Sequence, residues 1–457
     1  MASAKTPELM RLLLRVALAA LTFAALFSWS RPASAYAWMI RHGYGGCTTC
    51  HADPSGGETL TRYGRAQSDL LLRMRYGEDS VSAGASETSA PKDDSFDSFD
   101  EDLAGDAPKP KKPAPKPEPE AAEETGPSSS SGFLWGLFEP PDFMLLGGSL
   151  RTVGLLSGGD FRYFPMQADL YGQLAFGPVK LGGSIGAAKV KEGSPHARAA
   201  QVTTNQGDEL NLISRTHWLG LDLGSRGDLL LRAGRLNLPF GIRMSEHVMW
   251  VREATRTDRE SDQQHGAALA YSGMNLRAEV MAIAGNYQLG PDKYRERGYS
   301  LYVEALASKS VAAGASSLLT FAKADRMTLE QESTARGAHG AFARFAPAGA
   351  LAVLVEADAL HMSRRDLGYV GFAQLDYELT QGLHLGATGE ALDIGYQQQP
   401  SGNLGIDLPR QVGAGKPRFG GWLTVDWFFL PHCELRVDAI VRQESAFTLL
   451  SQLHVFL

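Results

Sequence analysis

The fold is decided by the stretch Cys433-Glu434-Leu435-Arg436-Val437-Asp438-Ala439-Ile440-Val441-Arg442. Every second position from Leu435 to Val441 is apolar, and most of the positions between and beside them are charged. Successive side chains of a β-strand point to opposite faces. The stretch therefore predicts a strand with one apolar face and one charged face.

The same alternation recurs throughout residues 132–457. Seventeen segments carry it: 144–156, 162–176, 178–190, 211–224, 228–237, 246–253, 264–273, 275–285, 297–308, 311–323, 337–346, 350–362, 367–379, 382–394, 417–430, 433–443 and 446–457. The alternation is weakest in 246–253, and single-chain bacterial barrels have an even number of strands. We therefore predict sixteen strands, with fourteen or eighteen as alternatives.

Such strands could form a soluble β-sandwich or a transmembrane barrel. The barrel is favoured by the number of segments and by the charged polar face, which suits a water-filled lumen. Aromatic residues also cluster near the segment ends, as membrane girdles do. They are Phe143, Tyr163, Phe164, Trp218, Trp250, Tyr271, Tyr299, Phe345, Trp422, Trp427 and Phe428. The final strand, with Phe456 next to the carboxyl end, resembles the assembly signal of outer-membrane barrels. The predicted fold is all-β, a transmembrane antiparallel β-barrel in the bacterial outer membrane.

The predicted lumen carries both signs of charge. Its arginines are Arg232, Arg243, Arg277, Arg344 and Arg436. Its carboxylates are Glu279, Glu304, Glu356, Asp358, Asp376 and Asp438. Since the two sets offset each other, the sequence predicts no ion selectivity. Long polar connections at 191–211, 255–264 and 397–416 are expected to be outer loops or to fold into the pore.

The chain before the barrel divides into three parts. Residues 1–35 have a basic start, an apolar run and the small residues Ala33-Ser34-Ala35, which is typical of a cleaved secretory signal peptide. Residues 36–76 form a short segment that contains two of the three cysteines. Residues 77–131 form an acidic and then Pro-Lys-rich linker, whose low hydrophobicity predicts disorder. The acidic run in this linker is either a solvated spacer or a docking site for a basic partner.

A c-type haem attachment motif lies in the short segment. It reads Cys47-Thr48-Thr49-Cys50-His51, the C-x-x-C-H pattern. Two thiols at this spacing can form thioethers to the two vinyl groups of one haem, and His51 can then supply the proximal nitrogen to iron. The alternatives are a dithiol redox pair or a chance C-x-x-C. Export behind a signal peptide favours one covalent haem c.

Several residues are candidates for the sixth iron ligand. His42 is the only other histidine before the barrel, and we expect it to be the distal ligand. Met74 and Met39 are the thioether alternatives, and an open or external position is a further one. Tyr63 and Arg65 could stack on the haem or pair with its propionates.

Several function classes are excluded or disfavoured. The net charge of −7 gives no basic footprint for nucleic acid. No nucleophile elbow, phosphate loop, dinucleotide fingerprint or zinc spacing occurs, so no catalytic residues are predicted. The remaining cysteine, Cys433, is predicted to be a free thiol, since two of the three are used by haem.

Two parts of the chain resemble known proteins. Residues 41–65 resemble the single-haem N-terminal region of some bacterial outer-membrane β-proteins, in which C-x-x-C-H precedes a Pro, a Leu and an aromatic-Gly-Arg. The matching residues are Cys47, Cys50, His51, Pro54, Leu60, Tyr63, Gly64 and Arg65. Residues 231–243 resemble a strand and the start of a folded loop in porins. The resemblance implies a cytochrome region fused to a porin-like barrel.

Three functions are compatible with this organisation. The first is electron transfer at the outer membrane, through one haem at or in the periplasmic mouth of the barrel, with periplasmic or surface redox proteins as partners. The second is a porin whose haem region senses redox state or gates the pore. The third is a peroxidase-like haem enzyme with an open sixth position. We expect an electron carrier rather than an enzyme.

Overall fold

A computed structural model describes most of the barrel and of the haem segment. The described residues are 37–74, 133–190, 209–224, 228–244, 246, 249–287, 292–328, 330–395, 416–443 and 445–457. The predicted signal peptide, residues 1–35, and the predicted linker, residues 77–131, lie outside them.

The described residues contain seventeen strand segments. In chain order they are β1 Met144–Ser157, β2 Asp160–Phe176, β3 Val179–Val190, β4 Glu209–Ile213, β5 His217–Asp222, β6 Leu229–Leu236, β7 Gln264–Ser272, β8 Leu276–Ile283, β9 Arg297–Ser308, β10 Val311–Ala322, β11 Thr334–Ala348, β12 Leu351–Met362, β13 Gly368–Thr380, β14 Leu383–Asp393, β15 Arg418–Leu430, β16 Cys433–Arg442 and β17 Thr448–Phe456. The first strand, β1, pairs with both β2 and the last strand, β17, in antiparallel register, so the sheet closes into a barrel.

Two of these segments form a single barrel strand. Both β4 and β5 pair with β3, β4 opposite Gly186–Val190 and β5 opposite Val179–Gly183. Residues 214–216 interrupt them. The barrel therefore has sixteen strands, and the predicted fold class is confirmed.

The barrel has two unlike ends. One end, here called the short-turn end, carries tight connections such as 177–178, 309–310, 349–350 and 381–382. The other end, the long-loop end, carries longer connections such as 284–296 and 323–333. Both β1 and β17 meet the short-turn end, where Gly148 and Leu457 exchange backbone hydrogen bonds.

The connection between β6 and β7, residues 237–263, does not project from the rim. We call it the inward loop. It contains the short helix Trp250–Thr255. The backbone N–H of Trp250 donates to Glu390 Oε2 at 2.9 Å. The Ile242 N–H likewise donates to Glu356 Oε2 at 2.6 Å. Because Trp250 and Ile242 are almost fully buried against the inner wall, the apolar pattern of 246–253 reflects packing inside the lumen. The prediction of a strand there is wrong.

The strands have their charged face inside and their apolar face outside, which is the reverse of a soluble protein. Charged residues of β12 and β16, such as Glu356 and Asp438, are buried in the lumen, whereas Leu423 and Val441 are 65% and 63% exposed on the outer face.

Exposed aromatic residues form one girdle near the short-turn end: Phe143, Phe176, Tyr271 and Tyr377. A second girdle lies near the long-loop end: Phe161, Tyr163, Tyr299, Phe321, Tyr369 and Phe419. Four of the aromatics that the sequence predicts for the girdles point inward instead: Trp218, Trp250, Trp422 and Phe428.

Three short elements shape the haem segment. They are a 3-10 helix at Ala37–His42, an α-helix at Arg62–Gln67 and one π-helical turn at Ser68–Leu72. None of the helices among the described residues is long and apolar enough to span a membrane.

A lumenal site around Cys47, Cys50 and His51

The predicted haem segment lies inside the barrel at its short-turn end. Arg41 of the 3-10 helix pairs with Asp376 Oδ1 of β13 at 2.6 Å, and its guanidinium also donates to the Ala350 carbonyl at 3.2 Å. At the other end of the segment, the Met74 N–H donates to the Phe428 carbonyl of β15 at 2.8 Å. Arg41 and Met74 therefore lie at the same end of the barrel, and the stretch between them extends into the lumen and returns.

Between these two anchors the segment reaches the inward loop. The Asn237 side-chain amide donates to Ser55 Oγ at 3.3 Å. Arg243 and Arg259 of the inward loop donate to the carbonyls of Pro54 and Gly56 at 2.8 and 3.0 Å. The tip of the segment, residues 53–58, is thus held by the inward loop within the lumen.

A tight turn carries the C-x-x-C-H motif. The N–H groups of Cys50 and His51 donate to the Cys47 carbonyl at 3.2 and 2.9 Å. The backbone then returns, and the Thr61 N–H donates to the Cys50 carbonyl at 2.8 Å. The turn brings the two cysteines and the histidine of the motif together.

A capped helix packs on this turn. The side-chain oxygen of Thr61 accepts from the Gly64 N–H at 2.9 Å, which satisfies an otherwise free donor of the first helical turn. Gly64 lies directly over Cys50, and a Cβ built there would overlap the Cys50 carbonyl. This close approach explains the glycine in the aromatic-Gly-Arg sequence that follows the motif.

Cys50 and His51 border a cavity in the lumen that is partly open to solvent. Its apolar lining includes Trp38, Met39, Leu60, Leu72, Met244 and Phe456. Its charged lining is mixed: the arginines are Arg151, Arg215, Arg243, Arg259 and Arg436, and the carboxylates are Glu58, Glu246, Asp258, Glu260, Asp426 and Glu434. Gly56 also lines the cavity, and a Cβ built there would lie 2.6 Å from Cys47 Sγ. All three motif residues are therefore at or directly behind one wall.

His51 is held in its neutral form. Burial, followed by the nearby Arg259 guanidinium, lowers the pKa of His51 to about 4. Its Nδ1 atom is buried and has no hydrogen-bond partner among the described residues. A neutral imidazole is the form that binds a metal, so His51 meets this requirement across the physiological pH range.

Cys47 lies in a strongly basic environment. Arg277 Nη1 is 3.5 Å from Cys47 Sγ. Burial opposes ionisation of this thiol, but the guanidinium groups of Arg277, Arg243 and Arg344 outweigh burial, so the pKa of Cys47 is lowered. Arg344 also donates to the Gly45 carbonyl at 2.7 Å. The barrel wall thus contributes both charge and backbone contacts to the motif.

The candidate distal ligands lie in different places. His42 Nε2 lies 3.1 Å from Glu378 Oε2, and His42 does not line the cavity. Met74 Sδ accepts from the indole N–H of Trp427 at 3.2 Å, and it does not line the cavity either. Met39 is 3% exposed and lines the cavity together with Cys50 and His51. The described geometry therefore brings Met39, rather than His42 or Met74, to the cavity.

Tyr63 and Arg65 lie behind the cavity wall. The Tyr63 hydroxyl is 3.3 Å from that of Tyr44. The Arg65 guanidinium donates to the Leu146 carbonyl of β1 and lies 5.9 Å from the Phe133 ring centre. Neither residue lines the cavity, so in this geometry both support the segment. Their predicted role beside a haem stays a prediction.

Two acidic residues of the segment have roles that the sequence does not indicate. Asp53 forms a buried ion pair with Arg232 of β6, which also pairs with Glu279. Glu58 accepts hydrogen bonds from the Thr216 hydroxyl at 2.7 Å to each oxygen. Burial, followed by the charge of Asp53, raises the pKa of Glu58 to about 8. The partners of both carboxylates are more than 150 positions away in the chain, so no local pattern marks them.

The predicted lumenal charges are confirmed as inward-facing. They form mixed ion pairs: Arg344 Nε lies 2.7 Å from Glu304 Oε1, and Arg436 Nε lies 2.9 Å from Asp438 Oδ2. Among the described residues, no cluster of three or more His, Cys, Asp or Glu side chains has the geometry to hold a metal ion.

These features define the class of protein. A closed sixteen-strand antiparallel barrel with an apolar outer face, two aromatic girdles and a polar lumen is an outer-membrane β-barrel. The chain is located in the bacterial outer membrane. Barrels of this class place short turns in the periplasm.

Proteins similar to this chain are found among solved structures, at low identity. No protein-family model and no curated protein matches the chain. Solved structures with a similar fold include OmpT, an outer-membrane protein of Vibrio cholerae, with 12% identity and a TM-score of 0.49 over 70% of this chain and 99% of that one. The outer-membrane channel DcaP of Acinetobacter baumannii has 12% identity and a TM-score of 0.41 over 69% and 97%. Salmonella typhi OmpF, in complex with daunomycin, has 10% identity and a TM-score of 0.48 over 69% and 97%. At these identities the similarity concerns the fold alone, and the barrel assignment rests on the closed strand ladder.

Proposed function

We propose that the chain is a c-type cytochrome of the outer membrane, in which one covalent haem inside the barrel transfers single electrons. The observation that carries this proposal is the position of the C-x-x-C-H motif. Cys50 and His51 border a cavity in the lumen, and Cys47 lies directly behind its wall at Gly56. The partners of such a carrier are periplasmic or surface redox proteins.

The residues around the cavity fit a haem. Cys47 and Cys50 supply the sulfur atoms, and the neutral imidazole of His51 supplies an iron ligand. Trp38, Leu72 and Phe456 give the cavity an apolar part, and Arg243 and Arg259 give it a basic part suited to carboxylate groups. When bound, haem iron would accept and release one electron at a time.

The chain's own residues then set the conditions for that transfer. Residues of the segment and of the inward loop line the cavity together. The guanidinium groups of Arg243, Arg277 and Arg344 lie near Cys47, and the carboxylates of Glu279 and Glu304 pair with them. Three positive groups against two negative ones leave a net positive charge, which stabilises an electron-rich state and favours reduction.

A cysteine variant tests haem attachment. The double variant Cys47→Ala/Cys50→Ala should lose haem staining after denaturing electrophoresis, while the unboiled protein still migrates as a folded barrel. Cys433→Ala is the matched control, because it removes a thiol outside the motif, and it should keep the stain. Stain retained in the double variant would refute the proposal.

Electron transfer itself requires a separate measurement. Haem-loaded protein reconstituted in vesicles should show a reduced-minus-oxidised spectrum on addition of a membrane-impermeant reductant. The reduced form should then be reoxidised by a small soluble acceptor protein. A spectrum that changes with neither reagent contradicts a carrier function.

A second candidate function is a transport channel with a regulatory haem. It is favoured by the charged lumen and by the inward loop, which narrows the barrel as a pore constriction would. The two functions differ in conductance. Because residues 37–74 occupy the lumen, the carrier should give little single-channel current in planar bilayers. Open-channel conductance in the haem-loaded protein would favour the channel. A high-spin haem that binds peroxide would instead favour the enzyme alternative.

A further inference from the structure

A serine, a histidine and a glutamate form a hydrogen-bonded line on the inner wall of the barrel. Ser149 Oγ lies 3.0 Å from His454 Nε2, and His454 Nδ1 lies 2.9 Å from Glu434 Oε2. The three residues belong to the neighbouring strands β1, β17 and β16, and all three are buried. They also line the cavity in the lumen, on the side formed by the barrel wall.

The strand register explains how these residues meet. His454 lies opposite Glu434 on β16 and opposite Arg151 on β1. Ser149 is the next inward position of β1, since inward positions are two residues apart. The hydrogen-bonded partners are 305 and 20 positions apart in the chain, so no local motif marks them.

The hydrogen bonds determine which ring nitrogen of His454 carries the proton. An ionised carboxylate can only accept, so Glu434 accepts from the Nδ1–H of His454. The Nε2 atom then keeps its lone pair and accepts the hydroxyl hydrogen of Ser149. Gln167 Oε1 is a second acceptor near Ser149 Oγ, at 3.3 Å, but the hydroxyl has one hydrogen and the histidine is closer. In this orientation an imidazole can take the proton from a serine nucleophile.

We propose that Ser149, His454 and Glu434 form an acyl-transfer site that hydrolyses carboxylic esters in the lumen. Ser149 and His454 are the catalytic residues, and Glu434 is a positioning residue that orients the imidazole. Because all three belong to the barrel wall, the site does not rest on the proposed haem. The cavity is partly open to solvent, so a small ester can reach Ser149.

The reaction balances without a cofactor. Ser149 Oγ attacks the carbonyl carbon of the ester, and its proton passes to His454 Nε2. The alcohol then leaves with this proton, and the acyl group stays on Ser149. A water molecule gives a proton to His454 and attacks the acyl group. The carboxylic acid leaves, and the proton returns to Ser149 Oγ. One ester and one water thus give one acid and one alcohol.

Arg151 can stabilise the charge that develops in this reaction. The carbonyl oxygen becomes negative in the intermediate, and hydrogen-bond donors directed at it lower the barrier. Arg151 is on the same face of β1 as Ser149, lies opposite His454 and lines the cavity. Its guanidinium carries five N–H donors. Phe456 and Tyr171 line the same cavity and give apolar surface for the acyl chain.

A purely structural hydrogen-bond chain is the alternative, since buried polar groups usually satisfy one another. The chain offers a matched comparison. Ser317 Oγ lies 2.8 Å from His339 Nδ1 on the outer face of the barrel. Among the described residues, no carboxylate pairs with His339. Ser317 therefore has a histidine neighbour without the third group, and its hydroxyl should be unreactive.

Covalent labelling gives the first test. An alkyl fluorophosphonate reacts with an activated serine: an O–P bond forms and fluoride leaves. The folded wild type is treated beside Cys47→Ala/Cys50→Ala, which cannot hold the covalent haem, and the label is located by peptide mass spectrometry. We expect the label on Ser149 and none on Ser317. Absence of the label from Ser149 in both proteins would overturn the proposal, and this result depends on no serine variant.

Variants give the second test. His454→Ala should slow labelling about 100-fold or more, as loss of a general base does. Glu434→Gln should also slow it, and Glu434→Asp should restore part of the rate, because a carboxylate again accepts from Nδ1. Ser317→Ala is the control and should label at the wild-type rate. Migration of unboiled samples checks that each variant is a folded barrel. An unchanged rate in folded His454→Ala would overturn the proposal.

Ester hydrolysis gives the third test. Release of nitrophenolate from p-nitrophenyl butyrate is followed in detergent with the same proteins. The wild type and Ser317→Ala should hydrolyse the ester at equal rates, and Ser149→Ala should fall to the rate without protein. Hydrolysis that persists in folded Ser149→Ala would overturn the assignment of Ser149 as the nucleophile.

Discussion

His42 Nε2 lies 3.1 Å from Glu378 Oε2, and this contact directs His42 to the barrel wall, whereas Met39 of the same 3-10 helix faces the cavity. In the haem-loaded protein, Met39→Ala should therefore convert a low-spin spectrum to a high-spin one that binds added imidazole. His42→Ala should leave the spectrum low-spin. Haem staining checks that both variants keep the cofactor. A high-spin spectrum for His42→Ala alone would instead support the ligand that the sequence predicts.

Glu58 should make stability depend on pH. Its pKa is raised from 4.5 to about 8 in the folded chain, first by burial and then by Asp53. Between these values the folded chain holds a proton that the unfolded chain has lost, so the free energy of unfolding should fall as pH rises from about 4.5 to about 8. Glu58→Gln should flatten this part of the profile, measured by urea unfolding in detergent. Glu332→Gln, at an exposed position, is the control and should keep the wild-type slope.

The buried pair of Arg232 and Asp53 should contribute strongly to stability. Removing one partner leaves the other charge buried without compensation, which typically costs about 3–5 kcal/mol. Arg232→Ala should therefore lower the free energy of unfolding by about that amount. The double variant Arg232→Ala/Asp53→Ala should be less destabilised than the sum of the two single variants. Arg62→Ala breaks the exposed Arg62–Asp142 pair and should change stability little. If Arg232→Ala and Arg62→Ala lowered the free energy of unfolding equally, the buried pair would not have the predicted effect on stability.

Gly64 should be intolerant of any side chain. A Cβ there would overlap the Cys50 backbone, so Gly64→Ala should displace the α-helix from the motif and reduce haem staining. The barrel should still migrate as a folded species when unboiled, since Gly64 lies outside the strands. Gly389→Ala is the matched control, because no atom lies within 4 Å of a Cβ built there. Normal haem content in Gly64→Ala would show that the helix does not pack on the turn as described.

The barrel could be predicted from the sequence because strand periodicity is local. Segments such as Cys433–Arg442 show the alternation in ten residues, and their inward and outward faces are confirmed by burial. The exception at 246–253 has a physical reason. Met249 and Val251 are each 1% exposed and pack against the inner wall. Their side chains are removed from water, as the lipid-facing side chains of a strand are, so the sequence shows a similar apolar pattern.

The position of the haem segment could not be predicted in this way. Its contacts connect residues that are far apart in the chain, as Arg41 and the Asp376 carbonyl are with a separation of 335 positions. For a related reason, the sequence does not show that Trp218 and Trp422 point inward. A tryptophan suits a membrane girdle and also an inward position beside a guanidinium group. The guanidinium carbon of Arg232, for example, lies 5.5 Å from the Trp218 ring centre.

Arg41 contacts the turn at Ala350 and Met74 contacts Phe428, so both ends of the stretch 41–74 lie at the same rim of the barrel. Between them the chain forms a doubled-back lobe that occupies the lumen and returns to the rim where it began. The strands can therefore wrap around this lobe without drawing either end of the stretch along the length of the barrel.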